Sequence, residues 1–174
     1  MQRKSSLTNV ATLNYLTPDQ QLCLLVDASN SAVGGALNCL TENGPQPVAF
    51  FSRKLSATET KYSTYDRELL AIYLAIKHFR HQLEEHNFII FTDHRPLTFA
   101  FNKISDSCSP RQLRHIDFIS QFSPDIRHVS GSDNSVADAL SKINFLNLST
   151  TDLQHLADSQ TKDEELKILY NFFQ

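Results

Sequence analysis

The chain has 174 residues, of which 41% are hydrophobic and 20% charged, so it can bury a core and does not belong to the disordered classes. Its three cysteines form no CxxC pair, and no apolar run is long enough for a membrane span or a signal peptide. We therefore expect an intracellular protein that is not secreted and has no membrane partner. With a net charge of −3, the chain lacks the strongly basic character of many nucleic-acid binders.

The first part of the chain predicts three strands. The apolar run 22–26 is typical of a strand buried on both faces, and it ends at Asp27. Segments 34–40 and 47–52 have strand character on either side of the turn signal Asn43-Gly44-Pro45. We expect these three consecutive strands to be antiparallel.

A long amphipathic helix is predicted over residues 57–83. Ser56 and Glu59 have the spacing of a capping box, which favours a helix start at this point. Apolar residues then recur at steps of three and four: Tyr62, Tyr65, Leu69, Ile72, Ile76, Phe79 and Leu83. The next apolar run, 88–91, predicts a second buried strand, and the series of strand, helix and strand favours a crossover onto a parallel neighbour.

The second part of the chain predicts two helices and a short strand. Ser109, Pro110 and Gln112 combine an N-cap, a proline at the first helical position and the third-position partner of a capping box. The apolar stripe of that helix consists of Leu113, Ile116, Ile119 and Phe122. Residues 124–129 are a strand candidate. Asn134 is expected to cap a last helix whose inward face consists of Val136, Leu140 and Ile143.

Four acidic residues are predicted to meet at one end of the sheet. Asp27 and Asp93 follow the two buried runs, and the carboxyl ends of neighbouring parallel strands lie at the same sheet edge. Glu68 and Asp138 lie beside inward-facing positions of their helices. A set of oxygen ligands suits Mg²⁺ or Mn²⁺ rather than zinc. Two such ions can hold a phosphodiester, generate hydroxide and stabilise the leaving oxygen.

Each of these acids taken alone has an ordinary structural interpretation. An aspartate after a strand is often a turn former or a cap, and a glutamate beside a helix stripe is often solvated. The joint arrangement of all four therefore supports the metal-site hypothesis, and no single residue does.

Five motifs occur in order along the chain: Val26-Asp27-Ala28-Ser29, Ala49-Phe50-Phe51-Ser52-Arg53-Lys54-Leu55, Tyr62-Ser63-Thr64-Tyr65-Asp66-Arg67-Glu68-Leu69-Leu70, Phe91-Thr92-Asp93-His94-Arg95-Pro96-Leu97 and Asn134-Ser135-Val136-Ala137-Asp138-Ala139-Leu140-Ser141. With these motifs, about residues 20–143 resemble the ribonuclease H domain of gypsy-type (Metaviridae) LTR-retrotransposon reverse transcriptases. The resemblance implies an α/β ribonuclease H-like fold: a five-stranded mixed sheet, with the first three strands antiparallel and the following ones parallel, flanked by helices.

The resemblance also implies an activity and its cofactor. It indicates an endonuclease, a hydrolase that cleaves the RNA strand of RNA–DNA hybrids during reverse transcription. Two Mg²⁺ ions, replaceable by Mn²⁺, would be the cofactors. Carried over position by position, Asp27, Glu68, Asp93 and Asp138 are the catalytic metal ligands, and Asp27 bridges both ions.

The hybrid is expected to be recognised by groove shape and 2′-hydroxyl groups rather than by base sequence. Five basic residues are candidates for phosphate contacts: Arg53, Lys54, Arg95, Arg111 and Arg114. For His94 and His128, a packing or surface role is favoured over proton transfer.

The resemblance further predicts how the chain is divided. Residues 1–19 are expected to be the end of an upstream connection region or linker, 20–143 the ribonuclease H domain, and 144–174 an acidic linker and helix leading towards integrase. The polymerase, connection and integrase regions of the same RNA-directed DNA polymerase polyprotein are then expected partners. The expected location is a cytoplasmic retroelement particle or the nucleus.

Two other functional interpretations remain open at this stage. In the first, the chain is a catalytically silent ribonuclease H-like structural or interaction domain that needs the polymerase region of the reverse transcriptase. A different polynucleotidyl transferase of the same fold, such as a Holliday-junction nuclease or an integrase core, uses similar acids but fits the five motifs poorly.

Overall fold

The computed structural model describes residues 19–42, 44–84, 86–99, 108–122 and 125–142. Apart from Asp19, the predicted connection segment lies outside the described residues, and so do Ile143 and the predicted linker and helix at 144–174. The predicted division of the chain into 1–19, 20–143 and 144–174 therefore stays a prediction.

Five strands form one mixed sheet. They are β1 Leu22–Ala28, β2 Ala32–Thr41, β3 Gly44–Lys54, β4 Phe88–Thr92 and β5 Ile126–His128. Their order across the sheet is β3-β2-β1-β4-β5. The pairs β1–β2 and β2–β3 are antiparallel, whereas β1–β4 and β4–β5 are parallel. The predicted five-stranded mixed sheet is thus confirmed, including the change from antiparallel to parallel pairing.

Four α-helices occur among the described residues: α1 Thr64–His78, α2 Arg80–Leu83, α3 Pro110–Ser120 and α4 Ser135–Lys142. Two 3-10 turns, Glu59–Lys61 and Arg95–Phe99, complete the regular structure of these segments. None of the helices in the described segments is long and apolar enough to cross a membrane.

The single helix predicted over 57–83 is wrong at both ends. Ser56 and Glu59 do form a reciprocal pair, with Ser56 N donating to Glu59 Oε2 (2.8 Å) and Glu59 N to Ser56 Oγ (3.3 Å), but it starts only a 3-10 turn. The backbone of Tyr62 is extended, and Ser63 Oγ then accepts a hydrogen bond from Asp66 N, which begins α1. The helix is interrupted again at Phe79, whose backbone leaves the helical region (φ −91°, ψ 15°).

The two later helices begin where predicted but differ in detail. Ser109 and Gln112 form the predicted capping box of α3, yet Leu113 is 38% exposed and does not belong to the buried stripe. Its turn of α3 is joined to α1 by a polar contact instead, since Gln112 Nε2 donates to Asp66 Oδ1 at 2.8 Å. The side chain of Asn134 does not cap α4: its Nδ2 donates to Val26 O, and its Oδ1 accepts no hydrogen bond from the described residues.

The core lies on both faces of β1 because successive side chains of a strand point to opposite faces. Leu22, Leu24 and Val26 pack with the buried side of α1 in the larger apolar cluster. On the other face, Cys23 and Leu25 pack with Ala137 of α4. The strand is therefore buried on both faces, as its continuous apolar run predicts, and its carboxyl end lies between helices from both layers.

Candidate metal centre

Two aspartates lie at the same end of adjacent parallel strands. In the β1–β4 register, Val26 is aligned with Thr92, so Asp27 and Asp93 are the next residues along the two strands. Both strand ends point in the same direction because the pairing is parallel. Asp27 is buried (6% exposed), and Asp93 is half-buried.

Glu68 reaches this sheet end from the first turns of α1. It lies directly before Leu69 in the buried stripe of the helix, and it is itself only 4% exposed. Glu68 Oε1 accepts a hydrogen bond from the backbone N–H of Ala28 at 3.3 Å, immediately after Asp27. Its second oxygen, Oε2, is buried and receives no hydrogen bond from any described residue.

These three acids converge on one point. Each of Asp27, Glu68 and Asp93 offers an oxygen such that the three atoms lie within 4.8 Å of one another. None of them forms an ion pair with a lysine or arginine in the part of the chain that the structure describes. Three carboxylates this close repel one another unless a proton or a cation lies among them.

The titration behaviour of the two buried acids follows from this arrangement. Burial, with the charges of Asp27 and Asp93, raises the pKa of Glu68 to about 9. Burial also raises the pKa of Asp27, and the charges of Asp93 and Asp138 act in the same direction. The Ser141 hydroxyl and the Lys142 ammonium oppose this rise at Asp27. Both acids therefore lie where a positive charge is favoured.

The donor set fits a hard divalent cation. All three side chains offer carboxylate oxygens, which Mg²⁺ and Mn²⁺ prefer, and no thiol or imidazole belongs to the cluster. The unpartnered Oε2 of Glu68 is a buried oxygen for which the described residues provide no donor. A cation among the three carboxylates would satisfy both the charge and this oxygen.

The fourth predicted acid, Asp138, stands apart from the group of three. It lies in the first turn of α4, and its carboxylate is 42% exposed. Lys142, one helical turn further on, contacts both carboxylate oxygens, Oδ1 at 2.5 Å and Oδ2 at 2.7 Å. The charge of Asp138 nevertheless helps to raise the pKa of Asp27, so Asp138 lies near the group of three without joining it.

Helix α4 is fastened to the sheet at both of its ends. Asn134 Nδ2 donates to Val26 O at 2.8 Å, next to Asp27. At the other end, Ser52 Oγ donates to Leu140 O and Ser29 Oγ to Ser141 O, each at 2.7 Å. These bonds satisfy carbonyl groups in the last turn, which an isolated helix leaves without partners.

The predicted phosphate-binding residues differ in their exposure and in whether an acidic side chain already pairs with them. Lys54, Arg95 and Arg114 are exposed. Arg53 instead forms an ion pair with Glu59 at 2.7 Å. Arg111 lies 3.8 Å from the centre of the Tyr62 ring and 3.4 Å from Asp66, so it links α3 to the first turn of α1 and to the segment that precedes α1.

Sequence reasoning missed two residues beside the acids. Lys142 is one, although the spacing of four between Asp138 and Lys142 on a predicted helix is a readable sign of an ion pair. Gly131 is the other: a Cβ at this position would lie 3.7 Å from Asp93 Oδ2, so the loop before α4 borders the centre. His94, adjacent to Asp93, is half-buried against the Tyr65 ring, with centroids 6.0 Å apart.

Comparison with known proteins gives consistent matches. A family profile described as "RNase H-like domain found in reverse transcriptase" matches residues 17–122. The chain is 38% identical over 146 residues to the retrovirus-related Pol polyprotein from transposon 412 of Drosophila melanogaster, covering 83% of this chain and 12% of that protein. It is 36% identical over 143 residues to the transposon Tf2-3 polyprotein of Schizosaccharomyces pombe, covering 80% of this chain and 11% of that protein. The chain thus spans a small part of the length of these curated relatives.

A similarity of fold is found among solved structures. RNase H1 from the halophilic archaeon Halobacterium salinarum superposes with a TM-score of 0.51 at 14% sequence identity, over 70% of this chain and 92% of that one. At this identity, the match concerns the arrangement of strands and helices alone.

Proposed function

Because this chain belongs to the RNase H-like domains found in reverse transcriptase, we propose that it is an endonuclease that hydrolyses the RNA strand of RNA–DNA hybrids during reverse transcription of a retrotransposon. The convergence of Asp27, Glu68 and Asp93 at one sheet end is the observation that carries this proposal. A structural domain has no need for three carboxylates within 4.8 Å of one another, because their repulsion lowers the free energy of unfolding.

In this proposal, Asp27, Glu68, Asp93 and Asp138 would hold two Mg²⁺ ions, which Mn²⁺ could replace, and Asp27 would serve both. When bound, these ions supply an activated water and stabilise the charge that develops on the leaving oxygen. The protein supplies a rigid support. Asp27 and Asp93 lie at the same end of two paired strands, and Glu68 is held by its hydrogen bond from Ala28 N. Such fixed placement reduces the reorganisation that the reaction needs.

The proposed substrate is bound through its backbone. Lys54, Arg95 and Arg114 are exposed and suited to phosphate contacts, whereas the guanidinium groups of Arg53 and Arg111 already have acidic partners. Contacts of this kind position a duplex without reading its bases. The selection of a hybrid would then depend on groove shape and 2′-hydroxyl groups.

We further propose that the domain acts within a polyprotein. Its relatives are transposon polyproteins of which it spans 12% or less, so polymerase, connection and integrase regions of the same polyprotein are the proposed partners. The proposed site of action is intracellular, in a cytoplasmic retroelement particle or the nucleus.

Cleavage of a hybrid with labelled RNA tests the function. The wild-type chain should cut the RNA strand with Mg²⁺, and Asp93→Asn should abolish the cutting. Asp117→Asn, at an exposed acid on α3, is the matched control and should cut like the wild type. Cutting that persists in Asp93→Asn would contradict the assigned site. A folded wild-type chain that cuts neither alone nor with the polymerase and connection regions added would contradict the function and favour a silent domain.

A further inference from the structure

Asp138 differs from the other three acids because a positive side chain already holds it. Both of its oxygens contact the Lys142 ammonium, at 2.5 Å and 2.7 Å. The acids of the converging group have no such partner among the described residues. The ammonium neutralises this carboxylate and takes up one lone pair on each oxygen, so it competes with any other cation for Asp138.

The geometry of α4 makes this ion pair weak enough to exchange. Asp138 and Lys142 are four residues apart with the acid on the N-terminal side, the favourable order on a helix. Their side chains are 42% and 64% exposed, so water and salt screen their attraction. The backbone of α4 is in contrast fixed by the bonds from Asn134, Ser52 and Ser29. The Lys142 side chain can therefore move while the position of Asp138 is kept.

On the basis of the proposed function, we propose that Lys142 is a resident counter-cation of the metal centre: its ammonium neutralises Asp138 in the metal-free protein and is displaced when a divalent cation engages that carboxylate. Lys142 then sets how tightly the Asp138 side of the centre binds metal. Lys142 is a positioning residue that competes with the divalent cation for Asp138. Its positive charge beside the centre also lowers the affinity of the centre for metal.

Lys142→Ala removes both the competitor and its charge. We expect the Asp138-dependent Mn²⁺ binding step to become about three- to tenfold tighter, as the loss of an exposed ion pair and of a like charge nearby would give. Lys142→Arg keeps the charge and the reach, so its affinity should stay close to that of the wild type.

Calorimetric titration of Mn²⁺ into the metal-free full chain, at about 0.1 M salt, measures this without any activity assay. Arg80→Ala is a matched control because Arg80 and Glu84 form a comparable exposed pair four residues apart, 57% and 41% exposed. That pair lies beyond the end of α1, whose last residue, His78, is already roughly 15 Å along the helix from Glu68 at ~1.5 Å per residue. The effect of Lys142→Ala should also vanish in an Asp138→Asn background, where no carboxylate remains to be released.

The outcomes separate this proposal from the proposed function. Tighter Mn²⁺ binding in Lys142→Ala but not in Arg80→Ala, and only when Asp138 is present, supports the counter-cation role. Unchanged or weaker binding in Lys142→Ala, with Asp27-dependent Mn²⁺ binding by the wild type, overturns the counter-cation role alone. A wild-type chain whose Mn²⁺ binding is absent or unaffected by Asp27→Asn overturns the metal centre of the proposed function, and the role of Lys142 with it.

Discussion

Glu68 is an acid in surroundings that favour its neutral form. It is 4% exposed, and burial followed by the charges of Asp27 and Asp93 raises its pKa to about 9. In the metal-free protein at neutral pH, a proton on Glu68 therefore reduces the repulsion among the three acids. A divalent cation would replace that proton and restore the charged form.

Replacing Glu68 by glutamine should stabilise the metal-free protein and remove its response to metal. The ordinary pKa of 4.5 leaves Glu68 ionised in the unfolded chain at pH 7, so folding has to protonate or bury a charge that glutamine lacks. We expect Glu68→Gln to raise the free energy of unfolding by about 1–3 kcal/mol in chelator, measured by urea unfolding at pH 7. Added Mn²⁺ should stabilise the wild type but not this variant.

The exposed acid Glu84 provides the control for this substitution, since Glu84→Gln should leave both quantities nearly unchanged. A Glu68→Gln chain that unfolds more easily than the wild type in chelator would contradict the electrostatic interpretation of this residue.

At the scale of elements, the close contact between α4 and β2 fixes the position of Asp138. A Cβ at Gly34 would lie 2.5 Å from Ala137 O, 2.6 Å from Ser141 N and 2.7 Å from Leu140 Cβ. Two of these atoms belong to the helix backbone, which cannot rotate away as a side chain can. Glycine at this position therefore lets α4 lie directly on the strand.

Gly34→Ala should force α4 away from the sheet. Because overpacking against backbone leaves little room to relax, we expect a loss of about 2–4 kcal/mol in the free energy of unfolding, measured by urea titration. Gly35→Ala is the control on the opposite face: its nearest contact, Ala75 Cβ, would be at 3.1 Å, so α1 has to give way by only a few tenths of an ångström. Equal losses in the two variants would count against a special role for the α4 contact.

The contact between α1 and α3 should make stability depend on pH. His115 stacks on Tyr73 with ring centroids 4.4 Å apart, and burial, helped by Arg111 and Arg114, lowers its pKa from the ordinary 6.5. As the pH falls through about 6.5, His115 binds a proton more readily in the unfolded chain than in the folded protein. The contribution of neutral His115 to the free energy of unfolding is therefore lost on acidification.

His115→Phe keeps a ring against Tyr73 but cannot titrate. The free energy of unfolding of this variant should therefore fall less steeply than that of the wild type between pH 7 and 5, as urea unfolding at several pH values would measure. His81→Phe, at an exposed position on α2, should retain the wild-type slope. Parallel curves for His115→Phe and the wild type would rule out this source of pH dependence.

Local patterns in the sequence predicted the sheet and the place where the acids meet. The apolar runs of β1 and β4 are signals contained in five and four residues; Asp27 follows the first directly, and Asp93 follows the second after Thr92. The break before α1 was not predictable in this way, since Ser56 and Ser63 each offer a valid helix start. Periodicity within α3 places Leu113 in the apolar stripe, but it does not reveal contacts with distant residues such as the Gln112–Asp66 bond, whose partners are 46 positions apart.

At the scale of the whole molecule, the proposed contacts with a duplex depend on exposed basic residues that belong to different elements. Lys54 ends β3, Arg95 begins the 3-10 turn after Asp93, and Arg114 lies on α3. Because the chain as a whole has a net charge of −3, the proposed binding would depend on where these charges lie and not on their total.

Substitutions of Arg111 and Arg114 should differ in their effect on stability, although both residues are predicted to contact phosphate. Arg114→Ala should weaken hybrid binding and lower the salt slope by about 1, with little change in stability. Arg111→Ala should also destabilise the fold, because it removes the contacts with Asp66 and Tyr62. Binding titrations at several salt concentrations, with urea unfolding, measure both effects; an unchanged salt slope in the double variant would exclude phosphate contacts by this pair.

Anomalous scattering from crystals of the full chain soaked in Mn²⁺ shows most directly whether Asp27, Glu68 and Asp93 form a cation site. We predict a Mn²⁺ peak bounded by carboxylate oxygens of these three residues, which the structure brings within 4.8 Å of one another. The same soak of Asp93→Asn crystals should lose or strongly weaken that peak. Wild-type crystals that show Mn²⁺ only elsewhere on the protein, or none at this sheet end, would contradict the metal centre on which the proposed nuclease function rests.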